Sequence, residues 1–143
     1  MAEHFFIVGA QRAGTSYLYQ LLDEHPEIEM AKPAKPEPKF FHVDTLYQHG
    51  LEYYKSFYFQ EGTSVCIRGE KSTSYMESEK AAYRIAQAFP DGKILFLLRD
   101  PIERAISNYW FSVGNGFEQL SMREAFLVDE SKQRDYLSNN QLG

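Results

Sequence analysis

Cysteine is almost absent. Cys66 is the only one, so no disulfide can close within the chain and a zinc site built on paired cysteines is excluded. Positive charge is not in excess either. Fifteen Lys and Arg stand against twenty Asp and Glu, a net charge of −5, which argues against broad nucleic-acid binding and means that an anionic ligand must be met by locally gathered cations. No apolar run approaches the length of a transmembrane helix. Glu3 and His4 interrupt a short apolar start, so no signal peptide is expected. These absences lead to the expectation of a soluble, cytoplasmic protein with neither a nucleic acid nor a membrane as partner. Disorder is excluded from the other side. Apolar residues make up 43% and aromatics 15% of 143 residues, enough for a real core in one domain. Neither an internal repeat nor a domain boundary interrupts the chain, so a single domain over residues 1–143 is expected.

What is present alternates between two periodicities. Residues 4–8 form a short buried-strand pattern, and residues 15–24 a helix with Leu18, Leu21 and Leu22 on one face. His25-Pro26 stops that helix, because the residue before proline disfavours helical geometry. Residues 31–39, AKPAKPEPK, read as an extended proline-rich loop. The Tyr- and Phe-rich segment 40–59 is expected as one irregular helix across the core, and residues 65–70 as a second strand. Residues 78–89 carry Ala81, Ala82, Ile85, Ala86 and Phe89 at helical spacing and end at Pro90. The segment 93–98, KILFLL, is the clearest strand, apolar on both faces as in a covered parallel sheet.

Asp100-Pro101-Ile102-Glu103 then gives a helix start with an acidic cap, a first-turn proline and a glutamate three positions on. Ser121-Met122-Arg123-Glu124 repeats the capping pattern for a last helix. Strands alternating with helices predict an α/β fold with a mainly parallel sheet. Three strands are few for a doubly wound fold, so the chain is expected to be the N-terminal part of a longer domain, incomplete at its C-terminus.

Two places look suited to anions. The first is the loop Gly9-Ala10-Gln11-Arg12-Ala13-Gly14-Thr15-Ser16, between the first strand and the first helix. A loop returning sharply from a strand can point successive N–H groups at one anion, and the helix adds the positive end of its dipole. The nucleotide-triphosphatase loop is G-x-x-x-x-G-K-[ST]. Here the glycine spacing matches, but Thr15 stands in the lysine position, the cation is Arg12 inside the loop, and Ser16 occupies the usual magnesium-binding position. The strand KILFLL is followed by Arg99, where a triphosphatase wants an acidic residue. A cation there repels a metal and attracts a phosphate. Arg99, with Ser107 eight residues on, is the second anion place. Ligands of open α/β sheets bind at the carboxyl ends of strands, so one nucleotide with two separated phosphates could span both.

At this point the motifs resemble a known family. GAQRAGTSYLYQLLDEHP is similar to the 5′-phosphosulfate loop of sulfotransferases that use 3′-phosphoadenosine-5′-phosphosulfate (PAPS), and LLRDPIERAISNY to their 3′-phosphate motif. KPEPKFFH and GEKSTSYM resemble segments of the heparan-sulfate branch, the N-deacetylase/N-sulfotransferases and 3-O-sulfotransferases. The resemblance implies a P-loop-like three-layer α/β fold and sulfuryl transfer from PAPS, without a metal, to a hydroxyl or amine of a small-molecule or glycan acceptor. By position it implies that Arg12, Ala13, Gly14, Thr15 and Ser16 hold the 5′-phosphosulfate, and that Arg99 and Ser107 hold the 3′-phosphate. It also makes Glu37 the general base, with Lys71 and Arg12 stabilising charge at the transferred group. His42 is expected to be a hydrogen-bonded packing histidine. Two other functions stay open: a P-loop small-molecule kinase that needs Mg²⁺ and ATP, and a truncated nucleotide-binding module without turnover. The acceptor and the oligomeric state are not specified by these residues.

Overall fold

The structure is a computed structural model that describes residues 3–60, 65 and 67–127; Cys66 lies outside them. It divides into two compact units, Met1–Asp100 and Pro101–Gly143. The first unit holds a parallel four-stranded sheet in the order β2-β3-β1-β4, made of β1 (Glu3–Gly9), β2 (Ile28–Met30), β3 (Ile67–Lys71) and β4 (Lys93–Phe96). The expected parallel α/β class is thus observed.

The layers follow from the pleat of β1, whose alternate side chains point to opposite faces. Phe6 and Val8 face a core with Phe40, Phe41 and Tyr54. Phe5 and Ile7 face a smaller cluster with Tyr19 and Met30. Helix α1 (Thr15–Asp23) covers the second face with Leu18 and Leu22; Leu21, expected on the same stripe, is instead 49% exposed. The first face is covered by α3 (Gly50–Tyr58) and α4 (Glu79–Ala88). Phe6, Phe40 and Phe41 are wholly buried. Each such ring contributes about 1.5–3 kcal/mol relative to an exposed one.

Three expectations change. The segment 40–59 is not one helix: α2 (Asp44–Tyr47) and α3 are separate, and Gly50 takes φ 82° between them. A glycine adopts that left-handed backbone at little cost, so the chain turns there rather than continuing one helix. The three-residue strand β2 was not anticipated; it sits at the sheet margin beside β3, where Ala31 N–H continues to the Gly69 carbonyl at 2.7 Å. The last strand is shorter and less covered than its sequence implied. Leu95 and Leu97 pack inward, whereas Ile94 is 44% and Phe96 56% exposed. As the marginal strand of the described sheet, β4 is covered on one face only.

Capping explains the helix limits. Ser78 Oγ accepts from Ala81 N–H at 3.2 Å and starts α4, and Gly92 N–H closes the turn onto Phe89 at 2.9 Å. A 3₁₀ turn, Thr73–Glu77, leads from β3 towards α4. The second unit contains α5 (Pro101–Gly114) and α6 (Met122–Leu127). The capping box expected at Ser121 forms: Ser121 N–H donates to Glu124 Oε2 at 3.0 Å, and Glu124 N–H donates to Ser121 Oγ at 3.3 Å. Ser121 Oγ also donates to Glu124 Oε2 at 2.5 Å, and this bond, with that from Ser121 N–H, holds the Glu124 carboxyl below its usual pKa.

Candidate active site

In a parallel sheet all carboxyl ends emerge on one edge. Lys71 lies beside Ile7, and Gly9 beside Phe96, so the tips of β3, β1 and β4 are neighbours there. The ladder runs on past the strand: Leu97 N–H donates to the Gly9 carbonyl at 2.8 Å and Ala10 N–H to the Leu97 carbonyl at 2.9 Å.

The 9–16 loop leaves the tip of β1 with two glycines in backbone that side chains rarely tolerate, Gly9 at φ 154° and Gly14 at φ 95°. A Cβ on Gly9 would meet Met76 Sδ at 2.8 Å, so this position also lacks room. Gly14 begins α1, whose first-turn N–H groups have no carbonyl within the helix to bond. Thr15 is buried and Ser16 exposed, so of these two residues Ser16 is the one open to an incoming ligand. Arg12 and Arg99 are exposed, and Arg99 Nη1 donates to the Arg12 carbonyl at 3.3 Å. Arg99 comes three residues after β4 ends, not directly on the strand as its sequence implied, yet its guanidinium lies at the loop. Glycines, unpaired helix amides and two guanidinium groups form a donor set suited to a polyanion. Ser107 belongs to α5 in the second unit.

Glu37 and Lys71 are brought together at the tip of β3. Lys71 Nζ donates to Glu37 Oε1 at 2.7 Å, while Thr73 N–H and Oγ1 donate to Glu37 Oε2 at 2.8 and 2.9 Å. The side chains are 4% exposed for Lys71 and 18% for Glu37, so neither is a solvated surface charge. An ionised carboxylate offers about four lone-pair sites, so three donors leave room for one more. Thr73 was not among the residues singled out from the sequence. Its signal was present: a hydroxyl residue two positions after a strand-end lysine stands where a helical turn begins.

The loop that carries Glu37 is fastened along its length. Lys32 N–H donates to the Tyr58 carbonyl at 2.9 Å, Tyr19 Oη to the Ala31 carbonyl at 3.0 Å, and Tyr58 Oη to the Pro38 carbonyl at 3.4 Å. Lys32 pairs with Asp23 in α1. Behind the loop, Glu70 is 1% exposed and accepts from Tyr54 Oη and Ser72 Oγ, both at 2.7 Å. His42, expected to be hydrogen-bonded, instead buries Nδ1 without a partner among the described residues.

Sheet order, a strand-tip loop and two neighbouring guanidinium groups make an arrangement suited to an anionic ligand at the carboxyl edge of an α/β sheet. Comparison with known proteins narrows this. The sulfotransferase domain model matches residues 2–139, and the chain belongs to that family. It is 33% identical over 113 residues to the membrane-associated sulfotransferase kil1 of Dictyostelium discoideum, covering 77% of this chain and 23% of that protein. It is 35% identical over 109 residues to human bifunctional heparan sulfate N-deacetylase/N-sulfotransferase 3, covering 73% and 12%. To mouse heparan sulfate glucosamine 3-O-sulfotransferase 3B1 it is 33% identical over 132 residues, covering 87% and 32%. The chain thus spans at most about a third of the length of these curated relatives. A solved sulfotransferase from Alicyclobacillus acidocaldarius superposes with a TM-score of 0.75 at 31% identity, covering 94% of this chain and 60% of that one.

Proposed function

We propose that this chain binds PAPS and transfers its sulfuryl group to a hydroxyl or amine acceptor. The observation that carries the reading is the Glu37–Lys71–Thr73 cluster, nearly buried, at a strand tip beside the glycine-bounded loop. When bound, PAPS supplies an activated sulfuryl group on a phosphate leaving group. Glu37 takes the acceptor proton through its remaining lone-pair site as the new bond to sulfur forms. Lys71 carries three N–H donors, so it can address Glu37 and a sulfuryl or leaving oxygen together. As the old S–O bond breaks, Lys71 and Arg12 stabilise the charge on the leaving phosphate oxygen by fixed electrostatics. Arginine keeps its proton, so Arg12 acts by charge and hydrogen bonds. Loop residues Ala13, Gly14, Thr15 and Ser16 hold the 5′ end and Arg99 the 3′-phosphate, the group to which the family motif also assigns Ser107. The heparan sulfate relatives make a glycan the first acceptor to try.

The test is transfer of ³⁵S from PAPS to heparan sulfate and to its de-N-sulfated form, with calorimetry of 3′-phosphoadenosine 5′-phosphate (PAP) binding in EDTA. Glu37→Gln is expected to cut transfer by about 10²–10⁴-fold. Its PAP affinity should stay within about twofold of wild type. Transfer at the wild-type rate would remove Glu37 as base. Tighter binding of Mg²⁺-ATP than of PAP would replace the whole assignment with a kinase.

A further inference from the structure

A carboxylate buried behind the site takes no part in the proposed chemistry, and one of the two hydroxyls bonded to it holds the Glu37 loop. Glu70 Oε1 accepts from Ser72 Oγ and Oε2 from Tyr54 Oη. The Ser72 hydroxyl also faces the backbone just after Glu37: its Oγ accepts from Lys39 N–H at 2.9 Å. Two residues on, Phe41 N–H has an acceptor of its own, Tyr75 Oη at 3.1 Å. An ionised carboxylate only accepts, so Ser72 must spend its single proton on Glu70 and turn its lone pairs to the loop. Burial and the Glu70 charge push the Tyr54 phenol well above its usual pKa, so it keeps the proton it donates.

The backbone at the anchor needs such support. Lys39 takes φ 50°, a left-handed conformation that a residue with a Cβ adopts only when its surroundings hold it. Its carbonyl is held as well, accepting from His42 and Val43 N–H, both at 3.0 Å. Two residues before it stands Glu37, and next to Glu70 in β3 stands Lys71.

We propose that Glu70 is a positioning residue: through the Ser72 hydroxyl it orients the acceptor for Lys39 N–H, and so fixes Glu37 over Lys71. Its consequence for turnover rests on the assignment of Glu37 as base. Glutamine at position 70 keeps the shape but turns an amide donor toward one hydroxyl, whose proton then points away from it and whose lone pairs are shared by two donors.

Residue-resolved amide exchange by NMR on the full chain tests this. In Glu70→Gln the Lys39 amide is expected to exchange faster by about tenfold or more, while the Phe41 amide, held by Tyr75, and the β1 amides of Phe6 and Ile7 keep their protection. Ser72→Ala should release Lys39 in the same way; this milder variant serves if Glu70→Gln does not fold. Transfer from PAPS to heparan sulfate in Glu70→Gln should fall in kcat on the order of 10- to 100-fold, with KM for PAPS nearly unchanged. Unchanged Lys39 exchange in Glu70→Gln, or uniform acceleration of every amide, overturns the proposal. Glu37→Gln separates it from the base assignment, because that variant should leave the Lys39 amide protected. If Glu37→Gln still transfers while Glu70→Gln releases the Lys39 amide, the base assignment fails and the anchor stands. If Glu37→Gln is inactive while Glu70→Gln keeps the Lys39 amide protected, the anchor fails and the base stands.

Discussion

The two halves of the candidate site are built differently. At the tip of β3, Lys71 and Glu37 are nearly withdrawn from solvent, share three donated hydrogen bonds with Thr73, and rest on a buried carboxylate. At the tips of β1 and β4, Arg12 and Arg99 are exposed, and the bond between Arg99 and the Arg12 carbonyl is the long one at 3.3 Å. The first corner has its geometry before any ligand arrives. The second presents its guanidinium groups to solvent. Under the proposed chemistry, folding itself fixes the groups assigned to the proton, and the ligand orders those assigned to phosphate.

This contrast can be broken by substitution. The largest effect on stability is expected at Lys71. Lys71→Met leaves Glu37 largely buried without its cation and should cost about 3 kcal/mol, measured as a fall in the urea midpoint. Arg12→Ala should change stability by no more than about 0.5 kcal/mol, because that side chain is exposed. Comparable losses would erase the distinction between the corners. Next comes ligand grip. Arg99→Ala should weaken PAP binding by about 1.5–3 kcal/mol, the worth of a charged hydrogen bond, and leave adenosine 5′-phosphate almost unaffected. Equal losses for both nucleotides would detach Arg99 from the 3′-phosphate.

The smallest expected effect is in pH dependence. Burial, the largest influence, raises the Glu70 pKa above its ordinary 4.5, against the pull of the Tyr75, Ser72 and Tyr54 hydroxyls. Between the ordinary and the raised value the unfolded chain has released this proton while the folded chain keeps it. Stability from this group is therefore fully present below 4.5 and is lost as pH rises through the folded value. Glu70→Gln has no such proton. The stability advantage of wild type over this variant, from urea unfolding, should be larger near pH ~4 than near pH ~7. A constant difference would mean that burial leaves this carboxyl unperturbed.

The sequence revealed most of the frame and the polar residues of the site, but not their depth. The helical spacing of residues 78–89 and the Ser121–Glu124 box are local patterns satisfied by their own neighbours, and the apolar run of β1 marks a strand whatever comes to cover it. Ile28–Met30 has no such pattern: three residues with a glutamate in the middle become a strand only because β3 lies alongside. Glu37 and Lys71 could be named, but their 34-residue separation hides that they touch. Glu70 was legible only as a neighbour of Lys71. An acidic residue inside a strand bound for the interior was the available signal, and the two hydroxyls that answer it come from different places, Tyr54 from α3 and Ser72 from just beyond β3.

The parallel register has a metric consequence. Lys71, the Gly9 loop and the segment leading to Arg99 stand on three adjacent strands, β3, β1 and β4. Neighbouring strands are set about 4.8 Å apart by the ladder itself, so the outer two lie roughly 10 Å from each other. The sheet therefore acts as a ruler whose graduations no side-chain exchange can move. A donor molecule whose two charged ends were spaced by a longer tether would meet one graduation and miss the other.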